Sequence, residues 1–229
     1  PTPPWIYHPA QSGVSYLPMR QVPFNGPATV PAWVHEPPAR KRVCVTLGFS
    51  NRESHGIEAS AHALLEAMAD LDVEVIATFD ARQLGTSASL PGNVRVATFV
   101  PLGVLLPTCS AIVHHGGPGT FATALEHGTP QLIIPSAYWH IKWWSAIAAA
   151  NGLEDRGAGI YVADSDNVTA QGLRMDLIQV LENPAFARNA DQLRVELAGR
   201  PSPNEIVPLL DKLTAEHHPT MRKGRESHL

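Results

Sequence analysis

Apolar residues along this chain switch repeatedly between two spacings. Residues 43–47, Val-Cys-Val-Thr-Leu, form a short β-rich run that stops at Gly48, the pattern of a buried strand leading into a turn. Beyond the loop 49–56, Ile57, Ala61, Leu64, Leu65, Met68 and Leu71 recur at helical spacing, and residues 73–78 return to a strand pattern. This is one β-α-β unit. The same logic predicts strands at 94–100, 110–114 and 131–134, a helical turn at 102–106 and a helix at 118–126. Further helices are expected over 141–151, 170–182, 184–197 and 203–214. Strands alternating with helices imply an α/β fold, a parallel sheet with helices on both faces.

Proline redraws the start of that map. Ten of the 21 prolines lie in the first forty residues, where no helical spacing survives, so residues 1–40 read as a proline-rich arm or interdomain linker. Residues 41–215 are then the globular domain and the polar residues 216–229 a C-terminal tail. With 229 residues and 44% apolar composition the chain can bury one substantial core, but hardly two full α/β domains. The missing initiator Met suggests a fragment or a processed chain. A net charge of −4 and a pI near 6.3 give no general pull toward nucleic acid or an anionic membrane. Cys44 and Cys109 each sit in a strand-like apolar run, which favours two reduced structural thiols and a cytoplasmic setting. No stretch approaches the roughly eighteen apolar residues of a membrane span, and the opening Pro-Thr-Pro-Pro lacks the features of a signal peptide. The histidines at 217, 218 and 228 and the basic pairs Lys41-Arg42 and Arg222-Lys223 read as solvated charge.

Candidate chemistry concentrates at His114-His115-Gly116-Gly117-Pro118-Gly119-Thr120. A strand ending at His114 runs through glycines into a helix, so the free amides of the first helical turn and the positive end of its dipole make an anion site. Pro118 suits an early helical position, Gly119 removes a Cβ from the approach path, and Thr120 can add a hydroxyl donor. His114 could donate to a phosphate oxygen, while His115 should point the other way because strand side chains alternate, which argues against a shared metal. The glycines alone are equally consistent with a βα turn that binds nothing. Neither a Walker-type lysine nor a Gly-x-Gly-x-x-Gly pattern after the first strand is present, so ATPase and nicotinamide chemistry are disfavoured.

With this motif the chain resembles the GT-B glycosyltransferases that decorate macrolides and related natural products, particularly those using thymidine-diphosphate (TDP) deoxysugars. The likeness runs over about 22–215 and includes Val22-Pro23-Phe24-Asn25-Gly26-Pro27, Val45-Thr46-Leu47-Gly48, Phe99-Val100-Pro101-Leu102, Leu105-Leu106-Pro107, residues 114–120, His127-Gly128-Thr129-Pro130-Gln131 and Gly157-Ala158-Gly159. It implies the Rossmann-like C-terminal domain of a GT-B fold, with the arm as the interdomain connection. It also assigns roles: Ser50, His114, Gly116, Gly117, Gly119 and Thr120 hold the donor diphosphate, and Phe99 and Val100 form the nucleobase wall, with the Val100 main chain reading the pyrimidine edge. An ordinary turn serine at 50 and a core aromatic at 99 stay open as alternatives.

Relatives with uridine donors usually carry a Glu just beyond this turn to grip the ribose; the matching position here is Ala122, which favours a thymidine donor. Many relatives also place an acidic residue after the position of Pro135 for the sugar hydroxyls, where this chain has His140. Trp139, Trp143 and Trp144 nearby suit an interface or core more than a sugar platform.

The resemblance implies inverting transfer of a deoxysugar from a TDP-sugar to a hydroxyl of a natural-product aglycone, with no metal or other cofactor. The general base is expected in an N-terminal acceptor-binding domain, so no catalytic residue is assigned here and the chain alone is expected to be inactive. An auxiliary activator protein, required by some relatives, would be recognised largely by that other half. A non-catalytic or degenerate nucleotide-sugar-binding module is the alternative, and a sugar-nucleotide epimerase a weaker one.

Overall fold

Val43 and Val45 pack on one face of a parallel sheet while Cys44, between them, packs on the other, so the β-rich run at the start of the domain is buried on both sides. A computed structural model describes residues 3, 12–26, 29–47, 61, 64–79, 90–135, 146–165 and 167–217. Its strands are β1 (Lys41–Thr46), β2 (Val73–Ala77), β3 (Val94–Val96), β4 (Ala111–His114), β5 (Gln131–Ile133) and β6 (Gly159–Tyr161), all parallel, in the order β3-β2-β1-β4-β5-β6. This is the doubly wound order, in which the connections turn to opposite sides on either side of the β1/β4 pair. It is the α/β, Rossmann-like arrangement expected from the sequence.

The helices are α1 (Leu102–Leu105), continued by a 3₁₀ turn over Leu106–Thr108, then α2 (Pro118–Glu126), α3 (Ala146–Asp155), α4 (Ala170–Glu182), α5 (Pro184–Ala198) and α6 (Pro203–His217). Their starts follow from local chemistry. Thr169 caps α4 by accepting the Gly172 N–H at 3.0 Å, and Asn183 caps α5 by accepting that of Ala185 at 3.0 Å, with Pro184 supplying a preset φ at the first position. One sheet face packs Val43, Val75 and Val113 against Leu64, Leu65, Met68, Leu173 and Leu177; the other packs Cys44, Ile76 and Ile112 against Leu105, Leu106 and Ala124. Phe121, Leu125, Ile133, Ala149 and Leu153 make a third apolar cluster around α2 and α3.

Four differences from the expected map have physical causes. The strand foreseen at 94–100 stops at Val96, because residues 98–102 leave the sheet to line a cleft. The sequence pattern does not predict strand β6, because its three residues, Gly-Ile-Tyr, are too few to show a period. Arg42 is not solvated charge. It is 3% exposed, donates to Glu74 at 2.9 Å and Thr108 at 2.8 Å, and stacks on Trp33, whose ring Arg95 also covers. The arm also reaches into the domain: Val34 lies buried among Cys44, Ile76 and Leu105, and the Arg20 N–H donates to the Pro201 carbonyl at 2.9 Å.

Cys44 and Cys109 are free thiols, though Cys109 follows the 3₁₀ turn instead of lying in a strand. Burial raises both thiols, Cys109 to about 12. Among the described residues no helix is long and apolar enough to cross a membrane.

Candidate functional site

Three strands end at one place. Thr46 closes β1, Thr78 follows β2, and β4 passes through residues 115–117 into α2. The gap between neighbours whose connections diverge, at the carboxyl ends of the strands, is where open parallel sheets take ligands. There a cleft of about 280 Å³ opens. Thr46, Thr78, Thr98, Thr120, Thr123 and Asn25 supply hydroxyls and an amide, and Phe24, Phe99, Val100, Pro101 and Leu102 an apolar wall, with Gly119 between them. No carboxylate or cation is among these lining residues.

Phe99 is 38% exposed and belongs to the wall, not the core. Val100 packs with Cys44, Ile76 and Leu105, which leaves its main chain for the cleft.

The turn before α2 is braced from inside. The His114 ring is 1% exposed; its Nδ1 accepts the Gly116 N–H at 3.0 Å, and its Nε2 lies 2.8 Å from Oε1 of the equally buried Gln131 on β5. A nitrogen that accepts cannot carry the proton, so the proton sits on Nε2 and donates to Gln131. Burial, reinforced by neighbouring His115 and opposed by the Gln131 hydrogen bond, lowers His114 to about 3, and burial lowers His115 to about 4; both rings are neutral near pH 7. The direct phosphate contact expected of His114 is therefore corrected. Both of its ring nitrogens are engaged within the protein, and it shapes the turn instead.

Gly116 has φ +81°, and a Cβ there would sit 2.8 Å from the Ala146 Cβ and 3.0 Å from the Ile133 Cγ2. With its amide bonded to His114, its contribution is conformational. Gly117 is the N-cap of α2 and Pro118 its first residue, with no side chain capping the end. The Phe121 N–H bonds back to the Gly117 carbonyl at 2.9 Å, so the amides of Gly119 and Thr120 precede the helical ladder at the positive end of the dipole. A Cβ on Gly119 would meet nothing within 4 Å, which leaves the space beside it open to the cleft. The arrangement can hold an anion at Gly119 and Thr120 and a flat apolar group at Phe99.

The structure thus brings Phe99, Val100, Gly119 and Thr120 to one cleft, with His114, Gly116 and Gly117 behind it. Ser50 and His140, and the Trp139, Trp143 and Trp144 segment, lie outside the described residues. Ala122 lines a second cavity with Phe121, Leu125 and Leu197, on another flank of α2, and no carboxylate is among the described residues that line the cleft. Sequence reasoning missed Thr46, Thr78, Asn25, Thr123 and Gln131. For the first two a signal existed, since each stands within one residue of the carboxyl end of a strand expected from the sequence, 43–47 and 73–78.

Residues 62–213 match the erythromycin biosynthesis protein CIII-like C-terminal domain, and residues 1–48 match the N-terminal domain of the same family. The chain is 53% identical over 218 residues to the aclacinomycin-T 2-deoxy-L-fucose transferase of Streptomyces galilaeus, covering 95% of this chain and 48% of that protein. Among solved structures it resembles spinosyn forosaminyltransferase SpnP, with a TM-score of 0.82 and 42% identity over 94% of this chain and 54% of that one. It also resembles the glycosyltransferase VinC in complex with dTDP, with a TM-score of 0.77 and 39% identity over 93% of this chain and 51% of that one. The chain spans about half the length of the relatives it matches. A domain with this sheet order and this glycine turn, matched across most of its length, belongs to the erythromycin biosynthesis protein CIII-like family of GT-B glycosyltransferases.

Proposed function

We propose that this chain is the donor-binding half of an inverting glycosyltransferase that moves a deoxysugar from a TDP-sugar to a hydroxyl of a natural-product aglycone. The observation that carries the reading is the cleft at the ends of β1, β2 and β4, where the leading amides of α2 meet an apolar wall with no carboxylate among the described lining residues. Dipole and hydroxyls suit a diphosphate; the wall suits a pyrimidine. The likeness to a structure holding dTDP supports the same donor.

In the reaction an acceptor oxygen forms a bond to the anomeric carbon as the bond from that carbon to the diphosphate oxygen breaks, with inversion. The acceptor proton goes to a general base on the N-terminal acceptor domain. Negative charge growing on the departing TDP meets the Gly119 and Thr120 amides and the Thr120 hydroxyl, groups fixed in place before the reaction. No metal or cofactor enters this scheme, and the setting is cytoplasmic. Ser50 adds a contact to the diphosphate and His140 one to the sugar, and an auxiliary activator protein would engage the other half.

Calorimetric titration with TDP and UDP tests the donor: TDP is expected to bind tighter, and clearly tighter UDP binding would sink the reading. Because the base lies elsewhere, this chain alone is expected to transfer no sugar. Measurable transfer by it would contradict that division of labour.

A further inference from the structure

Phe24 is 86% exposed, yet it lines the cleft. Single exposed apolar side chains are ordinary on protein surfaces, and Val22, two residues earlier on the same arm, is one of them, away from the cleft. What distinguishes Phe24 is the anchor beside it. The Asn25 Oδ1 accepts the Gly103 N–H, and its Nδ2 donates to the Thr123 Oγ1 at 3.4 Å, so one side chain ties the arm to both α1 and α2. A Cβ on residue 103 would lie 3.3 Å from that Oδ1, so a glycine there leaves Asn25 its room. Thr123 is itself held, donating to the Gly119 carbonyl at 2.8 Å. The main chain next to Phe24 is therefore fixed at the rim while the ring faces solvent.

From this geometry we infer that Phe24, positioned by Asn25, is a specificity-determining residue of the donor site whose ring covers the nucleobase, as a second aromatic surface beside Phe99. The inference rests on the proposed donor reading and deepens it, making the arm part of the binding site and not only a connection. Stacking on an aromatic ring follows the planar base and is indifferent to the phosphates, whereas the α2 amides act on the phosphates alone. The two contributions can therefore be separated by ligand chemistry.

The test titrates the 229-residue chain with TDP and with its abasic analogue, 2-deoxyribose 5-diphosphate, in wild type, Phe24→Ala, Phe24→Trp and Asn25→Ala. Phe24→Ala is expected to weaken TDP binding roughly 5- to 50-fold while leaving the abasic analogue and the melting temperature of the free chain unchanged. Phe24→Trp should restore TDP affinity to within about twofold of wild type, and Asn25→Ala should show the same base-dependent loss. TDP affinity unmoved in Phe24→Ala, or an equal loss for the abasic analogue, would overturn the inference while leaving the donor site standing. TDP affinity unmoved in Asn25→Ala would remove Asn25 from it. A wild-type chain that binds neither ligand would overturn the donor reading itself, and this inference with it.

Discussion

Nε2 of His114 and Oε1 of Gln131 lie 2.8 Å apart inside the sheet, while the other nitrogen of the same ring accepts the Gly116 amide at 3.0 Å. The imidazole thereby couples β5 to the turn that starts α2. Gln131→Leu would leave a buried N–H without an acceptor, at a cost of about 1–3 kcal/mol. A urea midpoint equal to wild type would show that the link contributes nothing. The turn should also loosen, so TDP binding should weaken in the same variant. Nitrogen-15 spectra should find His114 protonated at Nε2 in the wild-type chain.

Acid should weaken the fold before carboxylates titrate. His114 and His115 are lowered to about 3 and about 4, so between about pH 4 and pH 6.5 the unfolded chain binds more protons than the folded one. Stability then rises with pH across that window and falls as pH drops through it, by up to about 1.4 kcal/mol per pH unit for each proton. Urea midpoints measured near pH 7 and near pH 5 should differ, with the lower value in acid. Equal midpoints would mean the two rings are not held neutral.

Two glycines three residues apart should fail differently. Gly116→Ala places a methyl at φ +81° against Ala146 and Ile133 and should destabilise the chain by about 1–3 kcal/mol. Gly119→Ala meets no atom of the described residues within 4 Å and replaces a helical glycine, so the fold should be unchanged or up to about 1 kcal/mol more stable. Its penalty should appear in TDP affinity, because the methyl occupies the approach to the amides. Tight TDP binding by Gly119→Ala would show that the ligand does not come close at this residue.

Arg42→Met tests the other end of the sheet. Removing the guanidinium takes away the 2.9 Å partner of Glu74 and the donor to Thr108, though Arg95 remains 3.6 Å from that carboxylate. The expected loss is about 2–3 kcal/mol, below the usual cost of breaking a fully buried pair because Glu74 keeps Arg95 and some solvent. Arg42→Lys should recover little, since an ammonium cannot bond Glu74 and Thr108 as a planar fork while stacking on Trp33. Full recovery by Lys would argue for charge alone.

Local pattern carried the sequence reading where structure is local. The helix over Pro118–Glu126 was legible because Pro at its first position, glycines before it and apolar spacing within it all agree. The same holds for α4 and α5, whose starts follow Thr169 and Asn183. What escaped was contact between distant positions. Asn25 meets residues 78 and 98 positions away, and Arg42 meets Thr108 66 positions away, so nothing near either residue announced its partner. Strand alternation gave His114 and His115 opposite directions but could not say that Gln131 waited at the end of one of them.

Arg42 and Thr46 stand on the same strand, about 13 Å apart at strand rise. At the Arg42 end the charges pair and the rings stack, and a substitution registers as melting temperature. At the Thr46 end threonine side chains and the leading amides of α2 line the cleft, and on the proposed donor reading a substitution that spares the backbone registers as affinity. Sequence drift in this domain can therefore retune the ligand without endangering the fold, provided that changes collect at one end of β1 and leave the other alone.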